Sequence, residues 1–148
     1  LPITMAIIQA LITAAGAKRY VIPLSGVLEI LKVLPADIKT MENKEVIVLR
    51  DRTIPVLRLE QFFNPGIVIP HEKTELCGIV VGIADSILCI VVNNIIGQQD
   101  VIIKSIGKLL KITGIAGATD LGDMGTLLVV DIAGIIAIAT KSINKRAA

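Results

Sequence analysis

Aromatic residues are nearly absent. Tyr20, Phe62 and Phe63 are the three aromatic side chains in 148 residues, and there is no tryptophan. Proteins that grip single-stranded nucleic acid stack its bases on aromatic platforms, and here there is almost nothing to stack on. An excess of one charge is also lacking. Fifteen basic and thirteen acidic residues leave a net charge of +2, too small for a general nucleic-acid footprint. Histidine occurs once, at His71, and cysteine twice, at Cys77 and Cys89. That set cannot supply the Cys/His cluster of a zinc site. Nor can it build a dense disulfide framework, so a reducing, cytoplasmic setting is expected. Long apolar runs are missing as well. Residues 1–17 carry no charge, but Pro2, Thr4, Gln9, Thr13 and Gly16 interrupt them, whereas a spanning helix needs about 20 predominantly apolar residues. Lys18 and Arg19 follow this run, the reverse of a signal peptide. No direct membrane insertion is expected.

Aliphatic residues dominate what is present. Hydrophobic residues make up 53% of the chain, with 27 isoleucines and 14 valines. β-branched side chains pack well on pleated surfaces and lose rotamer freedom in helices, so a mostly β fold is expected. A charged fraction of 19% excludes a disordered chain. The start on Leu-Pro-Ile-Thr, without an initiator Met, suggests a domain of a longer protein.

Periodicity gives the order of elements. Residues 5–13 read as a strand with apolar even positions, 14–18 as a turn and 19–24 as the return strand. Ser25 is placed to cap a short helical turn through Glu29, and 30–33 resume extended structure. Strands follow at 38–41, 45–49 and 53–59, the last two across Arg50-Asp51-Arg52. Residues 64–73, with Asn-Pro-Gly and His71, read as a linker. The second half brings a strand at 75–83, a turn at Ala84-Asp85-Ser86 and a strand at 87–92. A short helical turn at 93–96, ended by Gly97, precedes an extended stretch at 100–104. Strands at 114–121 and 126–130 form a hairpin over Gly122–Gly125. Asp131 is placed to cap a helix to about Lys141, with fraying from Asn144. The halves repeat in pattern: Tyr20-Val-Ile-Pro-Leu-Ser-Gly-Val aligns with Leu88-Cys-Ile-Val-Val-Asn-Asn-Ile 68 residues on, and Ile54-Pro-Val-Leu-Arg58 with Leu127-Leu-Val-Val-Asp131 73 residues on. Paired small barrels are expected, since closing a sheet removes its unpaired edges.

No catalytic constellation emerges. His71 sits in a polar linker without a carboxylate partner. A two-residue turn at Asp85-Ser86 would set Cys89 opposite Gly82, with Cys77 and Cys89 on opposite faces, so no disulfide is expected. The glycines at 114–117 and 122–125 form neither a phosphate-cradling loop nor a dinucleotide fingerprint. Arg50, Arg52 and Arg58 cluster around one hairpin, which is either a solvated turn or a partner-binding corner. No catalytic, cofactor-binding or metal residue is assigned, and by elimination the domain binds something.

Several segments carry a resemblance. Leu1-Pro-Ile-Thr-Met-Ala-Ile-Ile-Gln-Ala-Leu11 resembles the junction between the ATP-binding and C-terminal regulatory domains of chemotaxis histidine kinases of the CheA type. Arg19-Tyr-Val-Ile-Pro-Leu-Ser-Gly-Val-Leu-Glu-Ile30 looks like the first-half signature of CheW-like domains. Glu45-Val-Ile-Val-Leu-Arg50, Thr53-Ile-Pro-Val-Leu-Arg-Leu59 and Ile95-Ile-Gly-Gln-Gln-Asp-Val-Ile-Ile-Lys104 through Lys108 match later family stretches. Gly114-Ile-Ala-Gly-Ala-Thr119, Leu121-Gly-Asp123 and Val129-Val-Asp131 complete the match. The chain departs at Asp51 and Met124, where the family usually has glycine, and at Asp120, usually apolar.

The resemblance implies a mostly β fold of two SH3-like five-stranded β-barrel subdomains packed around a shared hydrophobic core, with short helices. One domain spans 1–148, with approximate subdomains 14–63 and 75–131, completed by strand 4–13 and helix 132–142. The implied role is regulatory docking: binding the coupling protein CheW and chemoreceptor cytoplasmic tips, and relaying receptor state to the ATP-binding domain of the same kinase. Autophosphorylation would lie in other domains, and the setting would be cytoplasmic, at membrane-associated receptor arrays. Val27, Glu29, Ile30, Arg50 and Arg52 are the expected partner-binding residues; the short turn Val27-Leu28-Glu29-Ile30 and Arg50 are expected near the groove between subdomains. A free-standing CheW-type coupling protein and, more remotely, an SH3-like RNA-binding module are the alternatives.

Overall fold

The computed structural model describes residues 5–66, 75–104 and 113–147, with the backbone alone at 5 and 140–147. Its elements run β1 (Met5–Ala15), β2 (Lys18–Pro23), β3 (Val27–Val33), β4 (Lys39–Met41), β5 (Lys44–Leu49), β6 (Arg52–Arg58), α1 (Leu59–Phe63), β7 (Leu76–Ile83), β8 (Ser86–Val92), β9 (Asn94–Lys104), β10 (Ile115–Asp120), β11 (Thr126–Val130) and α2 (Ile132–Ala147). Strands β1, β2, β11, β10 and β9 form a closed barrel. The other six form a sheet in the order β3-β7-β8-β6-β5-β4.

The division expected at 14–63 and 75–131 is not how the strands sort. The barrel takes β1 and β2 from the first half and β9–β11 from the second; the sheet takes β3–β6 from the first and β7–β8 from the second. The repeat explains this exchange. Displaced along the chain, β1, β2, β3 and the β5–β6 hairpin become β7, β8, β9 and the β10–β11 hairpin. The barrel order β9-β1-β2-β11-β10 thereby matches the sheet order β3-β7-β8-β6-β5. The parallel pairs agree to the residue: Val21 faces Val129 in the barrel, and their equivalents Cys89 and Val56 face each other in the sheet.

The cores obey the same symmetry. Leu11, Tyr20 and Ile22 enter the core shared by both sheets, as do their equivalents Ile79, Leu88 and Ile90, together with Leu59, Ile132 and Ile135 from the helices. Ile12, Val21 and Leu127 fill the barrel; Val80, Cys89 and Ile54 line the sheet's inner face. β1 is thus buried on both faces beyond Ala10, not on its even positions alone, because it separates two cores. Thr13 is buried there with its hydroxyl donating to the Tyr20 carbonyl at 2.9 Å. The three aromatics meet where α1 covers β2: Tyr20 stacks on Phe63 at 4.8 Å between ring centroids, and Phe62 meets Phe63 edge-on at 5.0 Å.

Each of the two stretches read as a helical turn contains a β-bulge. β3 faces β7 with Leu28 skipped between Val27 and Glu29. β9 faces β1 with Ile96 skipped between Ile95 and Gly97. A bulge residue interrupts strand alternation locally, which makes a short extended segment read like a turn of helix. After Pro23 there is a single 3-10 turn, Leu24–Gly26. The β1–β2 turn narrows to Gly16-Ala17, and the β7–β8 turn lies at Ala84-Asp85, setting Cys89 opposite Val80 instead of Gly82. A shift of two preserves alternation, so the cysteines stay on opposite faces, and both are free. Arg50 and Asp51 adopt φ of 47° and 64°, the left-handed pair of a tight two-residue hairpin, at the turn where the family usually has glycine. α2 continues to Ala147, past the expected fraying. His71 and most of the expected linker lie outside the described residues.

Candidate functional site

The barrel and the sheet differ at one seam. In the barrel, β9 and β10 close the circle through Ala118 and Lys104. The equivalent strands of the sheet, β3 and β5, do not pair; β5 pairs instead with the short β4. A side-chain bridge crosses there. The Arg50 guanidinium, presented by the β5–β6 turn, grips both carboxylate oxygens of Glu29 on β3, one of them at 3.3 Å. That hydrogen bond holds the Glu29 carboxyl below its ordinary pKa, against a smaller opposing effect of desolvation. The same contact raises the Arg50 pKa.

The structure therefore joins two of the five expected site residues and spreads the others. Val27 is half-buried and packs on the shared core. Ile30 is 47% exposed, on the face of β3 opposite Glu29. Both belong to β3. Arg52 is exposed at the start of β6 and, among the described residues, has no ion pair. The arginine cluster is dispersed: Arg58 lies at the far end of β6, bound to Glu45 through Nε at 2.8 Å and Nη2 at 3.0 Å.

Two surface residues were not among the expected partner-binding residues. The bulges turn Leu28 and Ile96 outward, 60% and 44% exposed. They are equivalents, 68 residues apart, so each sheet displays an aliphatic side chain at the same place. Leu28 rests over Gly82, next to exposed Ile83; on the barrel, exposed Ile7 and Ile102 face each other across β1 and β9. The repeat offset is the signal that could have found this pair. Burial pushes the Cys89 thiol up to about 12, so it is no nucleophile near neutral pH. Among the described residues no three His, Cys, Asp or Glu side chains gather to hold a metal ion, and no helix is long and apolar enough to cross a membrane.

Comparison with known proteins gives three findings. The model of the CheW-like domain family matches residues 9–139. The sensor histidine kinase CheAY of Helicobacter pylori is 39% identical over 97% of this chain and 18% of its own length. The chemotaxis protein CheA of Borreliella burgdorferi is 42% identical over 89% of this chain and 15% of its own. The chain spans less than a fifth of either relative. Among solved structures, the scaffolding protein TtCheW of Thermoanaerobacter tengcongensis shares the fold, with a TM-score of 0.68 at 16% identity, over 86% of this chain and 90% of that one.

Proposed function

The chain belongs to the CheW-like domain family, and on that premise we propose that it is the regulatory docking domain of a chemotaxis histidine kinase. In this reading it binds the coupling protein CheW and chemoreceptor tips and relays receptor state to the ATP-binding domain of the same kinase, at cytoplasmic receptor arrays. The domain itself has a docking role, and autophosphorylation belongs to other domains of the parent. The observation that carries the reading is the pair of kinase relatives, which are 39% and 42% identical across nearly all of this chain. A free-standing CheW-type protein is the second reading, favoured by the shared fold with TtCheW.

Geometry supports a division of labour. The bulge-borne aliphatics Leu28 and Ile96 offer one apolar contact on each sheet, and exposed apolar patches mark partner sites. Glu29 and Arg50, with Val27 on the same strand as Glu29, are the candidate receptor-facing group, and Ile30 and Arg52 are further candidate partner contacts on other parts of the surface. Calorimetric titration with cognate CheW tests the first part: heat and saturation are expected, and none at high concentration refutes it. Receptor control of the full kinase tests the second. Glu29→Lys and Arg50→Glu should each weaken it with the fold intact, and unchanged control in both refutes the site.

A further inference from the structure

The unclosed seam between β3 and β5 holds a cleft of about 400 Å³, lined by residues 31–33 of β3 and 47–49 of β5, with Ala36, Asp37 and Lys39 at its closed end. Side chains of a strand alternate between faces, so three consecutive residues lining one space means that the space looks onto the strand's edge. Among the described residues both edges are open. β3 pairs with β7 on its other side. β5 is covered by β4 no further than Val46, which faces Lys39.

The register shows which backbone groups face the cleft. On β6, Val46 is opposite Pro55, which has no N–H, and Val48 is opposite Thr53. Pairs in an antiparallel ladder alternate between bonded and non-bonded kinds, and a proline marks the non-bonded kind. Val48 is therefore also in a non-bonded pair, and its N–H and C=O point away from β6 into the cleft. The walls carry a pattern as well. Leu31, Ile47 and Leu49 belong to the sheet's inner apolar cluster, whereas Ile30 and Val48 are exposed on the outer face. Lys32 and Lys39 bring positive charge to the rim. Lys32 is 3.9 Å from the exposed Glu75 carboxylate, and the Asp37 carboxylate already accepts from the Leu34 N–H at 2.9 Å, so Lys39 is the cation left for a partner's carboxylate among the described residues.

We propose that this seam is a strand-addition site for an extended peptide segment of a partner protein, about three residues deep, aliphatic on alternate positions and carrying a carboxylate. Three residues of strand are about 10 Å long, which matches the two facing edges. Main-chain hydrogen bonds to Val48 would give the binding, and the alternating walls and Lys39 its selectivity. The bound segment would lie between β3 and β5, the equivalents of the barrel's β9 and β10. The site does not depend on the docking role proposed above.

The test uses the whole chain and a defined probe: a six-residue peptide alternating valine with threonine and glutamate, blocked at both ends. Amide NMR and hydrogen exchange are read at residues 31–33 and 47–49. Saturable shifts there, with slowed exchange of the Val48 amide, are expected. N-methylating alternate peptide nitrogens should weaken binding at least tenfold, because it removes the donors and leaves the side chains. Val48→Pro should do likewise while keeping the β6 ladder; if that variant does not fold, the N-methylated peptide and Lys39→Glu carry the same test. No binding at millimolar peptide, binding indifferent to N-methylation, shifts elsewhere on the surface, or edge-to-edge pairing of two copies in place of peptide binding would each overturn the proposal.

Discussion

Ile22 and Ile90 are repeat equivalents, both fully buried in the core that the barrel and the sheet share. Replacing either with alanine removes three carbons. At about 0.8 kcal/mol per buried methylene this is about 2.4 kcal/mol of transfer free energy. The unfilled cavity adds to that, giving about 3–4 kcal/mol, within the range seen for isoleucine-to-alanine changes in cores. For a chain of this size each kcal/mol lowers Tm by about 2–4 °C, so a fall of about 10 °C is expected for either variant. The shared core makes a sharper demand. Ile90 lies in the sheet, yet the core it joins includes Tyr20 and Val130 of the barrel and Ile135 of α2, so Ile90→Ala should loosen both sheets together. Scanning calorimetry should show one transition in each variant. Amide exchange should rise alike at Val21 and Val129 in the barrel and at Cys89 and Val91 in the sheet. Two transitions, or protection lost in the substituted sheet alone, would refute the shared core as the cooperative unit.

Three further outcomes follow from the same structure. The Glu29 carboxyl, held down by Arg50, should titrate below 4.5 in the folded protein; stabilisation by the pair is present above that value and lost as pH falls through the lowered pKa, and NMR titration should show the pKa rise in Arg50→Gln. Cys89, with its thiol pushed up to about 12, should resist iodoacetamide at pH 8 while half-buried Cys77 reacts; because the unfolded thiol ionises near 9 and the native one does not, Cys89 should also make stability fall as pH rises above about 9. Chain cleavage between Gly66 and Glu75 should give fragments that are unfolded apart and regain strand circular dichroism when mixed, because each sheet needs strands from both pieces.

Strand order and most boundaries were legible because they rest on local chemistry. Glu42-Asn43 and Arg50-Asp51 make tight turns between β-branched runs, and the second residue of each, Asn43 at φ 65° and Asp51 at φ 64°, is of the kind that tolerates the left-handed region. The bulges were not legible, since Leu28 and Ile96 look like any aliphatic residue and their displacement depends on partners 50 and more residues away. For the same reason the sheets could not be assigned: two similar halves suggest two barrels in sequence, and nothing local says that β6 will prefer β8, or β11 prefer β2. The ion pair of Glu29 with Arg50 is likewise a product of the seam. The resemblance pointed to both residues, and the closure geometry made them partners.

That pair has a consequence for a molecule built on a repeat. Two equivalent faces invite a partner to bind either one, and the aliphatic side chains at Leu28 and Ile96 are alike enough to allow it. Discrimination has to come from positions where the halves differ. Glu29 is such a position: its equivalent, 68 residues on, is Gly97, which has no side chain, so the barrel cannot reproduce the ion pair. The barrel closes through backbone at Ala118 and Lys104, whereas the sheet stays open between β3 and β5 and carries a bridge of opposite charges on its surface further along that seam. A partner that reads shape and apolar contact finds two sites on this domain, and one that also needs the paired charges finds a single orientation. Asymmetry of this kind, placed where the folds of the two halves diverge, lets a pseudo-symmetric domain present distinguishable faces.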